Sequence, residues 1–218
     1  MEGCGSKLLD SEERLRRIPL SRRSHIIGFQ PLPTGTAEHE SALERDFVVL
    51  SSFLDPNAVI TAQPITITFQ VGTLTRRYTP DYSIAWSDGK REIIEVKYLS
   101  DLRANQEHFK ERFAAMEDWA RAREATFRVA TEREIRGCAL ENAKRLLPLR
   151  TVAFDPDTAQ SVVSAVRRLV TPTFADVITA VPADGPSVLA TLWCLLARGA
   201  LYVDLSLPIT PGSIISLP

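Results

Sequence analysis

The sequence has few of the residues that build disulfide frameworks and zinc sites. Its 218 residues include three cysteines and three histidines. Cys4, Cys138 and Cys194 stand far apart with no CxxC pair, and the histidines form no HExxH-like pair. The spacing of these residues therefore supports neither a disulfide framework nor a structural zinc site.

Long apolar runs are missing as well. No stretch approaches the roughly 18 apolar residues that indicate a membrane-spanning helix. The opening MEGCGSKLLDSEERLRR lacks the apolar core of a signal peptide. With 44% hydrophobic and 24% charged residues, the composition is typical of a soluble globular protein. We expect a cytoplasmic protein without a membrane partner.

The chain has no large excess of either charge, since its formal net charge is −1. Bulk electrostatics therefore do not indicate a nucleic-acid-binding protein. The charge is unevenly distributed, because a cluster of arginines precedes residue 24 and includes Arg22 and Arg23. This cluster could bind the phosphates of DNA, or it could be a solvated leader.

The order of periodic segments predicts an α/β domain over residues 37–150. Residues 1–36 are polar and interrupted by proline and glycine, so we expect an extended basic arm there. The predicted elements are a helix at 38–54, strands at 58–71 (kinked at Pro64), 76–86 and 90–99, a helix at 101–124, a strand at 126–131, and a helix at 131–147 opened by a capping box of Thr131 and Glu134. This order favours a mixed β-sheet flanked by helices.

A second domain is predicted over residues 151–218. Pro148 and the segment RTVAFDPDT (150–158) mark its boundary. Three short helical patterns follow, and the chain ends in two short strand patterns around a Pro-Gly turn. Three helices and a hairpin predict a small winged-helix-like domain.

The segment TPDYSIAWSDGKREIIEVK (79–97) carries charged residues on a predicted β-hairpin. The length of the hairpin loop decides which side chains share a face. A two-residue loop would set Asp81 opposite Val96 and separate the carboxylates of Asp81 and Glu95. A three-residue loop, Ser87-Asp88-Gly89, would set Asp81 opposite Glu95, with Gly89 in the left-handed conformation that such loops need.

The three-residue loop agrees with the distribution of apolar residues. It places Asp81, Glu95 and Lys97 on one face. The other face is apolar and comprises Tyr82, Ile84, Ile94 and Val96. We therefore predict the three-residue loop.

Paired carboxylates beside a lysine can perform metal-dependent phosphodiester hydrolysis. Two neighbouring carboxylates repel each other, and a divalent cation such as Mg²⁺ or Mn²⁺ relieves the repulsion. Lys97 could orient the attacking water or stabilise the pentavalent phosphate, and Glu44 on the preceding helix could complete the coordination. The alternative is a surface strand that carries alternating Glu and Lys as solvated residues.

The spacing of Pro80-Asp81 and Glu95-Val96-Lys97 resembles the PD-(D/E)xK motif of restriction-endonuclease-like nucleases. Residues 20–150 more specifically resemble TnsA, the endonuclease subunit of heteromeric cut-and-paste transposases. The segments that carry this resemblance are ESALERDF (40–47), QPITI (63–67), RRYTPDYSI (76–84), DGKREIIEVK (88–97) and VATEREIR (129–136).

The resemblance implies a restriction-endonuclease-like fold with a metal-dependent site. Its metal ligands would be Glu44, Asp81, Glu95 and the backbone carbonyl of Val96, and Lys97 would be the catalytic lysine. The metal would be Mg²⁺, with Mn²⁺ as a substitute.

The resemblance also implies a division of labour on double-stranded transposon-end DNA. The protein would cut the non-transferred strand near each 5′ end, leaving a 5′-phosphate and a 3′-hydroxyl. A DDE-family transposase (TnsB-type) would cut and join the 3′ ends, and an AAA+ regulator (TnsC-type) would control both. The protein would be bacterial and would join the nucleoid when assembled on DNA. Residues 151–218, with five aspartates against three arginines, would dock a partner protein.

Four further residues are candidates near this site. Arg76 and Arg77 precede the Asp81 strand and could bind the scissile phosphate or the flanking DNA backbone. Gln63 could support the site or satisfy the backbone near Pro64, and Gln106 could face the site or be solvated.

Two other functions are compatible with the same sequence. One is a different PD-(D/E)xK nuclease, such as a restriction or junction-resolving enzyme. The other is a non-catalytic factor that organises a transposase.

Overall fold

The computed structural model describes residues 28–32 and 35–218. Arg22, Arg23 and most of the predicted basic arm lie outside these residues. The strands are β1 (Gly28–Leu32), β2 (Gly35–His39), β3 (Val59–Ala62), β4 (Ile67–Val71), β5 (Leu74–Tyr78), β6 (Tyr82–Ala85), β7 (Arg91–Val96) and β8 (Thr126–Ala130). The helices are α1 (Ala42–Leu54), α2 (Leu99–Ala104), α3 (Gln106–Arg121), α4 (Glu132–Ile135), α5 (Cys138–Leu146), α6 (Pro156–Arg168), α7 (Phe174–Ala180) and α8 (Gly185–Ala197).

The predicted mixed sheet is present and has the strand order β3-β6-β7-β8. β6 pairs antiparallel with β3 and β7, whereas β7 pairs parallel with β8. On one face Tyr82, Ile84 and Ile94 pack with residues of α1. On the other face Ile93 packs with Met116 of α3. Because both faces are covered, five of the six residues of β7 are buried, including Glu92 and Glu95.

The hairpin register is the one predicted from the three-residue loop. Tyr82 lies opposite Ile94, so the same register sets Asp81 opposite Glu95. The Trp86 N–H donates to the Lys90 carbonyl oxygen at 2.9 Å, which closes the loop. Gly89 has a φ of +89°, the left-handed conformation that favours glycine.

The prediction of single strands at 58–71 and 76–86 is wrong. β3 ends at Ala62, and Gln63 adopts a φ of +46° before Pro64. The pairing register shifts by one residue between β3–β6 and β4–β5, because residues 63–66 connect β3 to β4 whereas residues 79–81 connect β5 to β6. Proline cannot donate to a ladder, so Pro64 and Pro80 interrupt both strands at the same level. β4 and β5 therefore form a separate two-stranded ribbon.

Two predicted helices are also divided. The helix at 101–124 is broken at Asn105, whose side-chain amide donates to the Asp101 carbonyl and ends α2. The helix at 131–147 is broken at Gly137, which is extended. The predicted capping box is wrong, because the Thr131 side chain makes no capping bond. The Glu134 carboxylate instead accepts from Arg128 at 2.9 Å.

Part of the predicted arm belongs to the folded structure. β1 and β2 pair antiparallel, and Ala37 and His39 of β2 are buried. The predicted boundary between residues 36 and 37 therefore falls within β2. No helix in the described part of the chain is long and apolar enough to cross a membrane.

The C-terminal segment contains the three predicted helices, α6, α7 and α8. The predicted strands occur only as isolated bridges, which pair Thr173 with Ile214 and Tyr202 with Ser216. The winged-helix architecture therefore stays a prediction.

The C-terminal helices share a core with the rest of the chain. Phe53 of α1 packs in the same buried cluster as Val162 and Leu192. The Arg150 guanidinium donates to the Phe53 carbonyl at 2.7 Å and to the Ala197 carbonyl at 2.9 Å. Arg150 therefore contacts both α1 and α8.

The need for a left-handed residue at Gly89 can be tested by substitution. A Cβ added at Gly89 would meet no atom within 4 Å, so Gly89→Ala should cost only conformational strain. We expect a loss of about 1–2 kcal/mol in the free energy of unfolding, measured by urea denaturation. Gly212→Ala, outside the left-handed region, is the control. Equal losses of unfolding free energy in both variants would contradict a conformational need for glycine at position 89.

Candidate active site

The candidate active site begins at Asp81, which lies at the start of β6 and is held by backbone groups on both sides. Its Oδ2 atom accepts from the Val96 N–H at 2.7 Å. Its carbonyl oxygen accepts from the Gln63 N–H at 2.8 Å. The Asp81 side chain is 22% exposed, so it is positioned by the sheet and still open to solvent.

The Lys97 ammonium lies among three oxygen atoms. Its Nζ atom is 2.9 Å from Glu95 Oε1 and 3.5 Å from Asp81 Oδ2. The Val96 carbonyl oxygen lies 3.3 Å from the same Nζ. The structure thus brings Asp81, Glu95 and Lys97 together, as the hairpin register requires.

The electrostatics of this cluster differ from those of an exposed ion pair. Burial and repulsion from Glu95 raise the pKa of Asp81 to about 7. Burial tends to lower the pKa of the Lys97 ammonium, but attraction to Asp81 and Glu95 outweighs it and raises that pKa above its usual value. Lys97 is therefore a cation and a hydrogen-bond donor at neutral pH.

Tyr78 is a site residue that the sequence analysis missed. Its hydroxyl donates to Glu95 Oε2 at 2.7 Å. Burial and the charge of Glu95 raise the pKa of Tyr78, so it stays a neutral donor. The Arg112 guanidinium lies 5.8 Å from the Tyr78 ring centroid. A tyrosine in a strand is an ordinary β-former, so no local pattern identifies this contact.

Glu44 lies near the cluster but its oxygens are used at the start of α1. Glu44 Oε2 accepts from the Glu40 N–H at 2.7 Å, and Oε1 accepts from the Ser41 hydroxyl at 2.9 Å. Burial raises the pKa of Glu44, and the charge of Lys97 opposes this shift. The role of Glu44 as a metal ligand stays a prediction.

The donor atoms around Lys97 can be tested for their fit to Mg²⁺. Within residues 28–32 and 35–218, no three side chains of Asp, Glu, His or Cys form a ready metal-binding group. Two carboxylates and the Val96 carbonyl nevertheless surround one cation, the Lys97 ammonium. These hard oxygen donors suit Mg²⁺ or Mn²⁺. They fit a site of two carboxylates and one carbonyl, with the remaining ligands supplied by water.

The other predicted residues are placed as follows. The Gln63 N–H donates to the Asp81 carbonyl oxygen, and the Gln63 side chain donates to Glu40 at 2.8 Å. A supporting role for Gln63 stays a prediction. Gln106 is exposed at the first residue of α3. Arg76 and Arg77 are exposed on β5.

Two other buried carboxylates, Asp46 and Glu92, have lowered pKa values because neighbouring side chains pair with them. Burial opposes ionisation of Asp46, but hydrogen bonds from Lys144 and Arg136 outweigh it and lower the pKa of Asp46. Burial likewise opposes ionisation of Glu92, and hydrogen bonds from Lys90 and Trp86 lower its pKa. The pKa of Asp81 is shifted the other way, which is common for functional groups.

One known family matches part of the chain. Residues 58–132 match a sequence model of the family described as TnsA-like endonuclease N terminal. The matched segment contains Asp81, Glu95 and Lys97, whereas Glu44 and residues 151–218 lie outside it. No curated protein matches the chain.

Tyr78→Phe should destabilise the metal-free protein. The change removes the hydroxyl that donates to Glu95 and leaves a buried carboxylate oxygen without that bond. We expect a loss of about 1–3 kcal/mol in the free energy of unfolding, measured in guanidinium chloride. Tyr202→Phe, at a residue that is 54% exposed, should change it little. Similar losses in both variants would contradict the role of Tyr78.

Asp81→Asn should change how stability depends on pH. The folded-state pKa of Asp81 is about 7, above the ordinary value of 3.8. Stability that depends on protonated Asp81 is therefore complete below pH 3.8 and is lost as the pH rises through about 7. In EDTA, the free energy of unfolding of the wild type should fall over this range relative to that of Asp81→Asn. The fall should reach a few kcal/mol, since one pKa unit is worth about 1.4 kcal/mol. A constant difference across this range would contradict the raised pKa.

Proposed function

We propose that the protein is a metal-dependent DNA endonuclease of the TnsA type, in the restriction-endonuclease-like superfamily, because residues 58–132 match the TnsA-like endonuclease N-terminal family. It cuts the non-transferred strand near the 5′ ends of a transposon and leaves a 5′-phosphate and a 3′-hydroxyl. The observation that carries the proposal is the convergence of Asp81, Glu95 and Lys97 within the matched segment.

The chain's own residues have distinct roles in this reaction. Lys97 stays protonated, so it donates to the attacking water or to the phosphate oxygens and stabilises the negative charge that develops there. Tyr78 keeps the Glu95 carboxylate oriented. The Val96 N–H keeps the Asp81 carboxylate in the same cluster.

Asp81, Glu95 and the Val96 carbonyl would hold Mg²⁺, with Mn²⁺ as a substitute and Glu44 as a further ligand. When bound, the metal would act as a Lewis acid towards the phosphate and lower the pKa of a bound water. A raised pKa of Asp81 favours its protonated form below about pH 7. Metal binding should therefore strengthen as the pH rises through that value.

The partners in this proposal are a DDE-family transposase (TnsB-type) and an AAA+ regulator (TnsC-type), with double-stranded transposon-end DNA as substrate. The TnsA family itself implies a heteromeric transposase. Residues 151–218 are proposed to dock a partner protein. Their five aspartates outnumber three arginines, and Val170, Tyr202 and Ile214 expose apolar side chains.

Strand-specific cleavage tests this function. The assay combines the full chain, the partner transposase, end-labelled transposon-end DNA and Mg²⁺. We expect wild-type protein to cut the 5′ strand and EDTA to stop it. Asp81→Ala and Lys97→Ala should each lower the rate by about 100-fold or more, since the first removes a proposed metal ligand and the second removes the cation that stabilises the developing charge.

Lys90→Ala is the matched control, because Lys90 is on the same hairpin and pairs with a buried glutamate, Glu92, at 2.7 Å. It should leave cleavage unchanged. Full activity of Asp81→Ala or Lys97→Ala would overturn the site assignment. Cleavage of DNA without transposon ends or partners would favour another PD-(D/E)xK nuclease. Assembly of the complex without any cleavage by this chain would favour a non-catalytic factor.

A further inference from the structure

The ribbon of β4 and β5 has one polar face and one apolar face. The two strands pair antiparallel, with Thr68 opposite Arg77 and Gln70 opposite Thr75. Side chains alternate along each strand, so these four residues share a face. The Thr66 and Thr79 hydroxyls hydrogen-bond at 2.6 Å and continue this face to the end of the ribbon that leads into β6.

The opposite face of the ribbon is occupied by the core. Ile67 and Tyr78 are buried against Met116 of α3. Phe69, which lies opposite Arg76, also packs there. The ribbon is therefore fixed through Ile67, Phe69 and Tyr78 of its apolar face.

The composition of the polar face suits nucleic acid. Thr68, Gln70, Thr75 and Arg77 are all exposed. Gln70 and Thr75 hydrogen-bond to each other at 3.0 Å, which orders their side chains. Residues 63–80 contain two arginines and no Asp, Glu or Lys. Threonine, glutamine and arginine side chains donate hydrogen bonds to DNA phosphates and base edges. The ribbon has no carboxylate that would repel the phosphates.

One end of the ribbon contacts Glu95 of the candidate active site. Tyr78, the last residue of β5, bonds Glu95 directly. Thr75 is three residues earlier, which is about 10 Å along a strand. This distance corresponds to about three base pairs of duplex DNA at 3.4 Å each.

We propose that this polar face, with Arg77 as its cation, binds the duplex a few base pairs to one side of the scissile phosphate. The inference rests on the proposed endonuclease function and adds the element that holds the substrate. Arg76 has the same charge and also lies exposed on β5, but it is on the apolar face. It does not belong to this surface.

The pair Arg77→Ala and Arg76→Ala tests the proposal with matched charge changes. Binding of the full chain to a labelled 40-base-pair duplex carrying the transposon end is measured over a salt series. Arg77→Ala should weaken binding about 10-fold and make the slope of log affinity against log salt shallower by about 1. Gln70→Ala should weaken binding several-fold, whereas Arg76→Ala should stay within about twofold of the wild type. Thermal unfolding of each variant checks that the fold is intact.

Two outcomes would overturn the proposal: equal effects of Arg76→Ala and Arg77→Ala, or wild-type binding by Arg77→Ala. Cleavage of the same duplex with the partner transposase separates this result from the proposed function. Normal cutting by the wild type with no loss in Arg77→Ala would reject the ribbon surface alone. Selective loss of binding in Arg77→Ala, in a wild type that never cuts, would support the ribbon surface and reject the endonuclease.

Discussion

The register between β6 and β7 is the constraint on which the candidate site depends. It sets Asp81 opposite Glu95, and the next residue on that face is Lys97. A shift of one residue would turn one carboxylate into the apolar core against α1. The Gly89 turn and the burial of Tyr82, Ile84 and Ile94 select the same register. Turn conformation and core packing therefore act together to keep two repelling carboxylates adjacent.

The Asp81 and Glu95 carboxylates are each fixed by a hydrogen bond in addition to their contacts with Lys97. Asp81 is held by the Val96 N–H, and Glu95 is held by the Tyr78 hydroxyl. One oxygen of each carboxylate is thus used for positioning. Glu95 Oε1 contacts Lys97 instead. Such supporting contacts usually orient ligands and limit their motion. They explain how a site at the start of a short strand can be well defined.

The hairpin and its site were predictable from the sequence because they depend on local rules. Strand alternation and the glycine in the loop determine the register. The kink at Pro64 was predicted, whereas the breaks at Pro80, Asn105 and Gly137 were not. Each of them involves a backbone or side-chain bond that periodicity does not report. The contact of Tyr78 with Glu95 joins residues of two different sheets, so only the folded arrangement reveals it.

Helix α1 contributes to two of the three buried clusters in the described part of the chain. Near its first turn Leu43 and Phe47 pack under the central sheet, and near its end Phe53 packs with the C-terminal helices. Its 13 residues form a rod of about 20 Å. Glu44, whose charge acts on Asp81, lies at one end of this rod, and Arg150 holds the backbone at the other. α1 therefore connects the C-terminal helices to the candidate active site, so a displacement of those helices would also displace the end of α1 that carries Glu44.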